Sequence, residues 1–451
     1  MNAPFVASPE ALILSAIVGL AVLLFLIIVM KYQALVAIVV SAIVIGLVAG
    51  MPFSMITATI EKGIGSTLQG IALLVGLGSM FGAILEISGG AEVIAQTLVN
   101  KFGEERSTWA LGLTGVIVAT PVFFDAGFII LVPLAFSIAR KTGKSVLLYA
   151  IPLVAGLAVG HAFIPPTPGP ILVANLIGVD LGYVIGFGIL TGIPAMIIAG
   201  PLYGKFISDR IYVPVPEAYS NPPKIDTSKL PSFALVISLI AIPLGLILLN
   251  TVSGIVPAMK PLKPILAFIG YPFVALTIAT IAAMVMLGYR YGYTKAELEK
   301  VMTKSLEPTG LILLVTAGGG VIRWMFQDSG LGLVIGKFFA TSSMPLVVVA
   351  FIIALAVRIS VGSATVAMTM AGGLIAAMPE VAALSPVAKT ALVIAIASGS
   401  TAASHFNDSG FWLFKSYLNI DEKTNLKSWT MLETLVGLTG FVGACVISFF
   451  A

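Results

Sequence analysis

Apolar residues fall along this chain in long runs, not in the alternation of a half-buried strand or the three-to-four spacing of a surface helix. A helix needs about 20 apolar residues to cross roughly 30 Å of hydrocarbon. Runs that reach or approach that length lie near 11–30, 33–50, 66–86, 181–204, 232–249, 265–289, 309–326, 344–357, 387–403 and 429–450. Stretches 108–139 and 145–180 are equally apolar but are interrupted repeatedly by glycine and proline. The pattern predicts an all-α integral membrane protein with about 12 membrane-crossing elements. Met1 to Glu10 holds no basic segment ahead of the first run, which therefore reads as a retained helix and not as a cleaved signal peptide.

Composition agrees with the bilayer as solvent. The chain is 59% hydrophobic and 10% charged, and its 24 basic and 20 acidic residues are too few to cover 451 residues with a polar skin. A net charge of +4 does not point to nucleic acid, because the basic residues are scattered between apolar runs. Clusters such as Arg140, Lys141 and Lys144, or Arg290, Lys295, Lys300 and Lys304, suit cytoplasmic loops. The lone cysteine, Cys445, excludes an internal disulfide and a multi-thiolate zinc site.

A polar linker at 207–230, with Pro214, Pro216, Pro222 and Pro223 and followed by Pro231, divides a first transmembrane half (1–206) from a second (231–451). The halves resemble each other at an offset of about 240 residues. Leu73-Leu74-Val75 returns as Leu313-Leu314-Val315, Ser88-Gly89-Gly90 as Asp328-Ser329-Gly330, Leu153-Val154 as Leu392-Val393, and Gly178-Val179-Asp180 as Asn419-Ile420-Asp421. An odd number of crossings per half would give the copies opposite orientation, the inverted-repeat plan of secondary transporters.

Each half contains two segments unlike a lipid-facing helix. The first half has Pro121 to Phe128, then Gly160 to Pro170, in which Pro165, Pro166, Pro168 and Pro170 cannot all lie inside a continuous helix. The second has Arg358 to Thr365, then Gly399 to Gly410, rich in Ser, Thr, Asn and Asp. Unwound backbone at membrane depth is tolerated where it is buried in protein or lines a polar cavity, and the half-helix ends suit ions and carboxylates. Alone, the Pro/Gly run could be an ordinary loop; the matching break in the other half favours a binding site.

The only two histidines, His161 and His405, lie in these paired breaks. Asp125, Arg358 and Asp408 are ionisable groups in apolar surroundings, where a charge costs on the order of 2.5–3.5 kcal/mol and needs a partner. Arg358 suits a bidentate grip on a substrate carboxylate, or else a structural ion pair with Asp125 or Asp408. Ser360, Ser363 and Thr365 set hydroxyls around Gly362, or serve helix packing as small residues. No His-Glu-x-x-His, Gly-x-Ser-x-Gly or Gly-x4-Gly-Lys-Ser/Thr pattern occurs, so neither an enzyme nor an ATP-driven pump is expected, and no cofactor.

These segments resemble the gluconate permease family of bacterial solute–proton symporters. The resemblance rests on Phe123-Phe124-Asp125-Ala126-Gly127-Phe128, on His161 to Pro170, on Val357-Arg358 through Gly362-Ser363-Ala364-Thr365-Val366-Ala367, and on Ser404 to Trp412. It implies uptake of gluconate or a related hydroxy acid with a proton across a bacterial inner membrane. It also implies two inverted repeats, each with a re-entrant hairpin and a broken transmembrane helix, often in a homodimer. Many members carry Glu where this chain has Asp125 and His where it has Thr167. The expected substrate-binding set is Asp125, Gly127, His161, Thr167, Arg358, Ser363, Thr365, Ser404, His405, Asn407 and Asp408, with Asp125, His161 and Asp408 as candidates for the coupled proton. Rival readings are a sodium-coupled carboxylate or D-serine-type amino acid carrier and an anion channel.

Overall fold

The computed structural model describes residues 7–217, 230–331, 344–406 and 408–451, and among these every regular element is helical. Before the linker the order is α1 (Pro9–Leu24), α2 (Ala34–Val48), α3 (Phe53–Ile87), α4 (Gly90–Phe102), α5 (Ser107–Ala119), α6 (Phe124–Thr142), α7 (Leu147–Phe163), α8 (Pro168–Ile177), α9 (Leu181–Ile197) and α10 (Tyr203–Ser208). After it come α11 (Phe233–Ile255), α12 (Lys263–Ile269), α13 (Pro272–Ala283), α14 (Lys295–Ser329), α15 (Leu346–Val361), α16 (Ala364–Ala376), α17 (Pro379–Ala383), α18 (Pro386–Thr401), α19 (Ser409–Leu418), α20 (Glu422–Asn425) and α21 (Met431–Phe449). Six helical stretches among the described residues are long and apolar enough to cross a membrane, and five shorter apolar helices accompany them.

The apolar runs at 66–86 and 309–326 are the C-terminal parts of α3 and α14, each 35 residues long. At 1.5 Å per residue such a helix spans about 52 Å, more than the hydrocarbon thickness. Its extra turns carry polar residues with partners. Lys62 of α3 pairs with Asp328 of α14 at 3.2 Å, and Thr59 donates to the same carboxylate at 3.0 Å. Thr294 and Glu297 form a capping box that starts α14, and the Thr294 backbone N–H and hydroxyl hold the exposed Glu297 carboxyl below its usual range.

Burial separates the helices that face lipid from those that do not. In the stretch Leu147–Ile177 89% of the most apolar window is buried, against 28% in Phe233–Gly254. A helix apolar all round belongs inside a protein or facing lipid, and α7 with α8 is therefore central while α11 is peripheral. Two apolar clusters form. One joins α1, α2 and the C-terminal half of α14; the other gathers α4 to α9 with α18 and α21; α15 and α16 contribute residues to both. Close crossings rest on glycine. A Cβ at Gly63 would lie 2.6 Å from Val321 Cα where α3 meets α14, and one at Gly156 would strike the Gly112 carbonyl where α7 meets α5.

Four interruptions break this packing in an orderly way. Residues 120–123 separate α5 from α6, residues 164–167 separate α7 from α8, Gly362 and Ser363 separate α15 from α16, and residues 402–408 separate α18 from α19. Gly362 sits at φ +86°, a conformation that ends α15, and the Ser363 hydroxyl accepts from the Val366 N–H at 3.4 Å to start α16. Pro165 and Pro166 cannot donate to a preceding turn, so α7 ends at Phe163. The first part of the linker is tied back to the start of α7: Val146 N–H donates to the Val213 carbonyl at 2.9 Å and Val213 N–H to Ser145 Oγ at 3.0 Å. Residues 218–229 of the linker lie outside the described residues.

Because Val321 Cα is backbone, Gly63→Ala must push α3 and α14 apart, and the expected cost is about 1–3 kcal/mol. Gly186→Ala, with open space around its Cβ, serves as the neutral control. Thermal unfolding of the detergent-solubilised protein checks both.

Candidate functional site

The four interruptions are not scattered: residues from three of them line one cavity of about 720 Å³, together with the last turn of α7 and the start of α21. Phe123, Phe124 and Asp125 come from the start of α6, His161 from the end of α7, Arg358 and Val361 to Val366 from the α15–α16 junction, and Asp408 to Gly410 from the start of α19. Trp429 and Glu433 close it from the C-terminal helix.

Arg358 organises the polar wall. It stands in the last turn of α15, where helix carbonyls favour a cation, and is 2% exposed. Nη2 pairs with Asp408 Oδ2 at 2.5 Å, and Nη1 donates to the Gly362 carbonyl. Asp408 caps α19 by accepting from the Gly410 N–H at 3.1 Å, and takes a further bond from Ser404 Oγ at 2.5 Å. Trp429 Nε1 donates to Ser404 Oγ at 2.7 Å, which ties the chain of bonds to the π turn Leu426–Thr430 that leads into α21. The guanidinium Nε–H is buried and has no hydrogen-bond partner among the described residues.

Apolar side chains also line the cavity, Phe124 and Trp429 among them. Asp125 lies in the first turn of α6, next to Phe124, whose ring meets Trp429 edge-on at 5.5 Å. His161 Nδ1 is buried without a partner among the described residues. Such a cavity can accept a small polar anion: its lining offers a cation and hydroxyls together with carboxyls and an imidazole.

Six of the residues singled out from sequence line this cavity: Asp125, His161, Arg358, Ser363, Thr365 and Asp408. Ser404 lies directly behind it, buried against Asp408. Gly127 lies in α6, where a Cβ would meet Leu157 Cδ2 at 2.9 Å. Thr167 faces a separate small crevice with Val75, Gly78 and Pro121, and its hydroxyl donates to the Ile164 carbonyl at 2.8 Å. His405 Nδ1 is 3.0 Å from the Ala403 carbonyl and is not among the lining residues. Asn407 lies outside the described residues. Sequence reasoning passed over Glu433 and Trp429, although a lone carboxyl inside the run 429–450 is the same signal that marked Asp125. Among the described residues no group of three or more His, Cys, Asp or Glu side chains could hold a metal ion.

The sequence profile described as GntP family permease matches residues 11–450. The chain belongs to the GntP family of permeases. This permease is 40% identical over 432 residues to the low-affinity gluconate transporter of Escherichia coli K12, covering 96% of this chain and 97% of that protein. It is 35% identical to the gluconate permease of Pseudomonas aeruginosa, over 97% of both chains, and 36% identical to the Gnt-II system L-idonate transporter of Escherichia coli K12, over 95% of this chain and 97% of that one. The resemblance carried by the four motifs is borne out. In fold, this GntP permease is similar to the YdaH transporter of Alcanivorax borkumensis, with a TM-score of 0.60 and 17% identity over 88% of this chain and 89% of that chain. Neisseria gonorrhoeae MtrF gives the same TM-score and identity over 86% and 84%. Membership makes the chain a multi-pass permease of the bacterial inner membrane and not an enzyme.

Removing one partner of a buried ion pair leaves an uncompensated charge, so Asp408→Asn in this permease is expected to cost about 3–5 kcal/mol. The double replacement Arg358→Met with Asp408→Leu should recover most of that loss while abolishing transport. Melting temperatures of the purified variants, compared as a double-mutant cycle, check it.

Proposed function

We propose that this permease is a secondary active transporter that takes up gluconate or a closely related sugar acid together with a proton. The observation that carries the reading is a buried arginine, Arg358, with an unpartnered Nε–H, among the residues lining a cavity large enough for a six-carbon acid. The names of the gluconate and idonate relatives support the substrate class. The substrate carboxylate sits on the Nε side of Arg358, in a planar fork that a lysine cannot reproduce. Ser363 and Thr365 hydroxyls face the sugar hydroxyls, and Asp125 carries the coupled proton, with His161 and Asp408 as its rivals.

The same reading takes residues 1–206 and 231–451 as inverted-topology repeats. What supports it is the shared order of elements. In the first half α3 is followed by the interrupted pair α5–α6 and the broken helix α7–α8; in the second, α14 is followed by α15–α16 and α18–α19. Each interrupted pair would be a re-entrant hairpin. The homodimer follows from the resemblance.

In proteoliposomes, gluconate should accumulate when a pH gradient is imposed and not when a sodium gradient alone is imposed. Arg358→Lys should insert but bind gluconate about tenfold or more weakly, since a charge-assisted bidentate contact is worth on the order of 1.5–3 kcal/mol. Asp125→Asn, which resembles the permanently protonated state, should stop uphill accumulation and leave exchange of internal for external substrate running. Accumulation by that variant on a pH gradient would remove Asp125 from the role.

A further inference from the structure

Beyond the groups assigned above, the cavity holds one more ionisable side chain. Glu433 is 4% exposed and lines the same space as Arg358 and Asp408. It rides on the helical stretch Glu422–Phe449, just past a π turn at Leu426–Thr430, a distortion often found where a helix carries a functional group. The following turn is fixed against the broken helix: Thr434 Oγ1 accepts from the Ala403 N–H at 3.2 Å, and Gly437 leaves no room for a Cβ against the Ser398 carbonyl and Ala402. A long charged side chain is therefore held inward, where it cannot escape to water or to the headgroups.

Charge balance decides what it does. Among the described residues, the carboxyls of Asp125, Asp408 and Glu433 share the cavity with one guanidinium, Arg358, and one imidazole, His161. Arg358 is already matched by Asp408. If Asp125 and Glu433 were both ionised, an incoming carboxylate would join two unmatched negative charges; Asp125 is exposed, but Glu433 is buried, and an unmatched carboxylate there cannot persist beside an anion without cost. A bound proton on each carboxyl removes the conflict. The other neighbours of Glu433 do not supply a compensating cation. On α18 the ionisable residue is Lys389, about three turns from the cavity end. On α9 it is Tyr183, and beside the π turn Lys427 contributes its backbone carbonyl to the Tyr203 hydroxyl.

We propose that Glu433 is a second proton-binding carboxyl of the transport site, and that its protonation admits the substrate carboxylate. The proton comes from the side of the membrane to which the cavity is open, is bound by the Glu433 carboxylate as the anion enters, and returns to water when the anion leaves. This rests on the reading of the cavity as a sugar-acid site.

The test is equilibrium binding of radiolabelled gluconate to the purified permease at a series of pH values, with no gradient present. Wild-type affinity should fall as pH rises, because the deprotonated site repels the anion, and each linked proton contributes about tenfold per pH unit. Glu433→Gln should reduce that dependence by about one proton, so that the variant keeps more affinity than the wild type at alkaline pH. Glu433→Asp should keep the slope but move its midpoint, since the shorter side chain sits differently against Arg358 and Asp408; it also serves if the Gln variant fails to insert. A wild-type slope that survives Glu433→Gln, or an Asp variant whose curve superimposes on the wild type, overturns this inference and leaves the sugar-acid reading intact. Absence of gluconate binding to the wild type at every pH defeats that reading, and this inference with it.

Discussion

A backbone that leaves its helix inside a bilayer must find partners within the protein, because hydrocarbon offers none. This permease breaks its helices at 120–123, 164–167, 362–363 and 402–408, and side chains around the last two supply such partners. The bond from Arg358 to the Gly362 carbonyl satisfies an acceptor exposed where α15 ends, and Asp408 accepts from the Gly410 N–H exposed where α19 begins. The ion pair between Arg358 and Asp408 then joins two breaks to each other. Ser404 and Trp429 extend the network to the C-terminal helix, so the polar backbone of one region is sealed by side chains from three.

Such a network needs rigid walls, and these come from close helix contact. Lipid chains are as apolar as leucine, so helices in a membrane gain little from hiding apolar surface and much from fitting tightly. Gly63 and Gly320 let α3 and α14 meet backbone to backbone, and Gly112, Gly115 and Gly156 do the same for α5 and α7. The central α7 is buried along nearly its whole length, which fixes His161 at its end within reach of the cavity. Where packing is closest the chain is regular; where the chain is irregular the side chains turn polar.

The cavity's charges have a bearing on transport as well as on stability. One guanidinium faces three carboxyls, an arrangement that is neutral overall only when protons are bound or when carboxyls are matched elsewhere. On the proposed reading, an empty site rich in carboxyls and a filled site holding an anion would favour different numbers of bound protons. In a carrier of acids this is a direct physical route from binding to proton coupling, with no need for a dedicated relay of water or metal.

The four interruptions were readable from sequence because their causes are local: Pro121, consecutive prolines at 165 and 166, Gly362, and the polar run from Ser398 to Ser409 each forbid or weaken a helix without reference to the rest of the chain. Asp125, Arg358 and Asp408 were readable for a similar reason, since a charge in an apolar run demands an explanation wherever it stands. The pairing was not readable. Arg358 could have met Asp125 or Asp408, and only the packing of α15 against α18 and the turn of chain after Thr401 brings Asp408 within 2.5 Å. Thr167 and His405 lie in the right segments, yet the backbone turns the first toward a different crevice and sets the second against the Ala403 carbonyl. Glu433 lies 75 residues from Arg358 in a run that reads as an ordinary membrane helix, and the tertiary fold alone places it in the cavity. Sequence determined where the chain must leave the helix and which residues need partners, because those are properties of short segments in hydrocarbon; which partners they have depends on contacts between distant helices, and only the packed structure decides those.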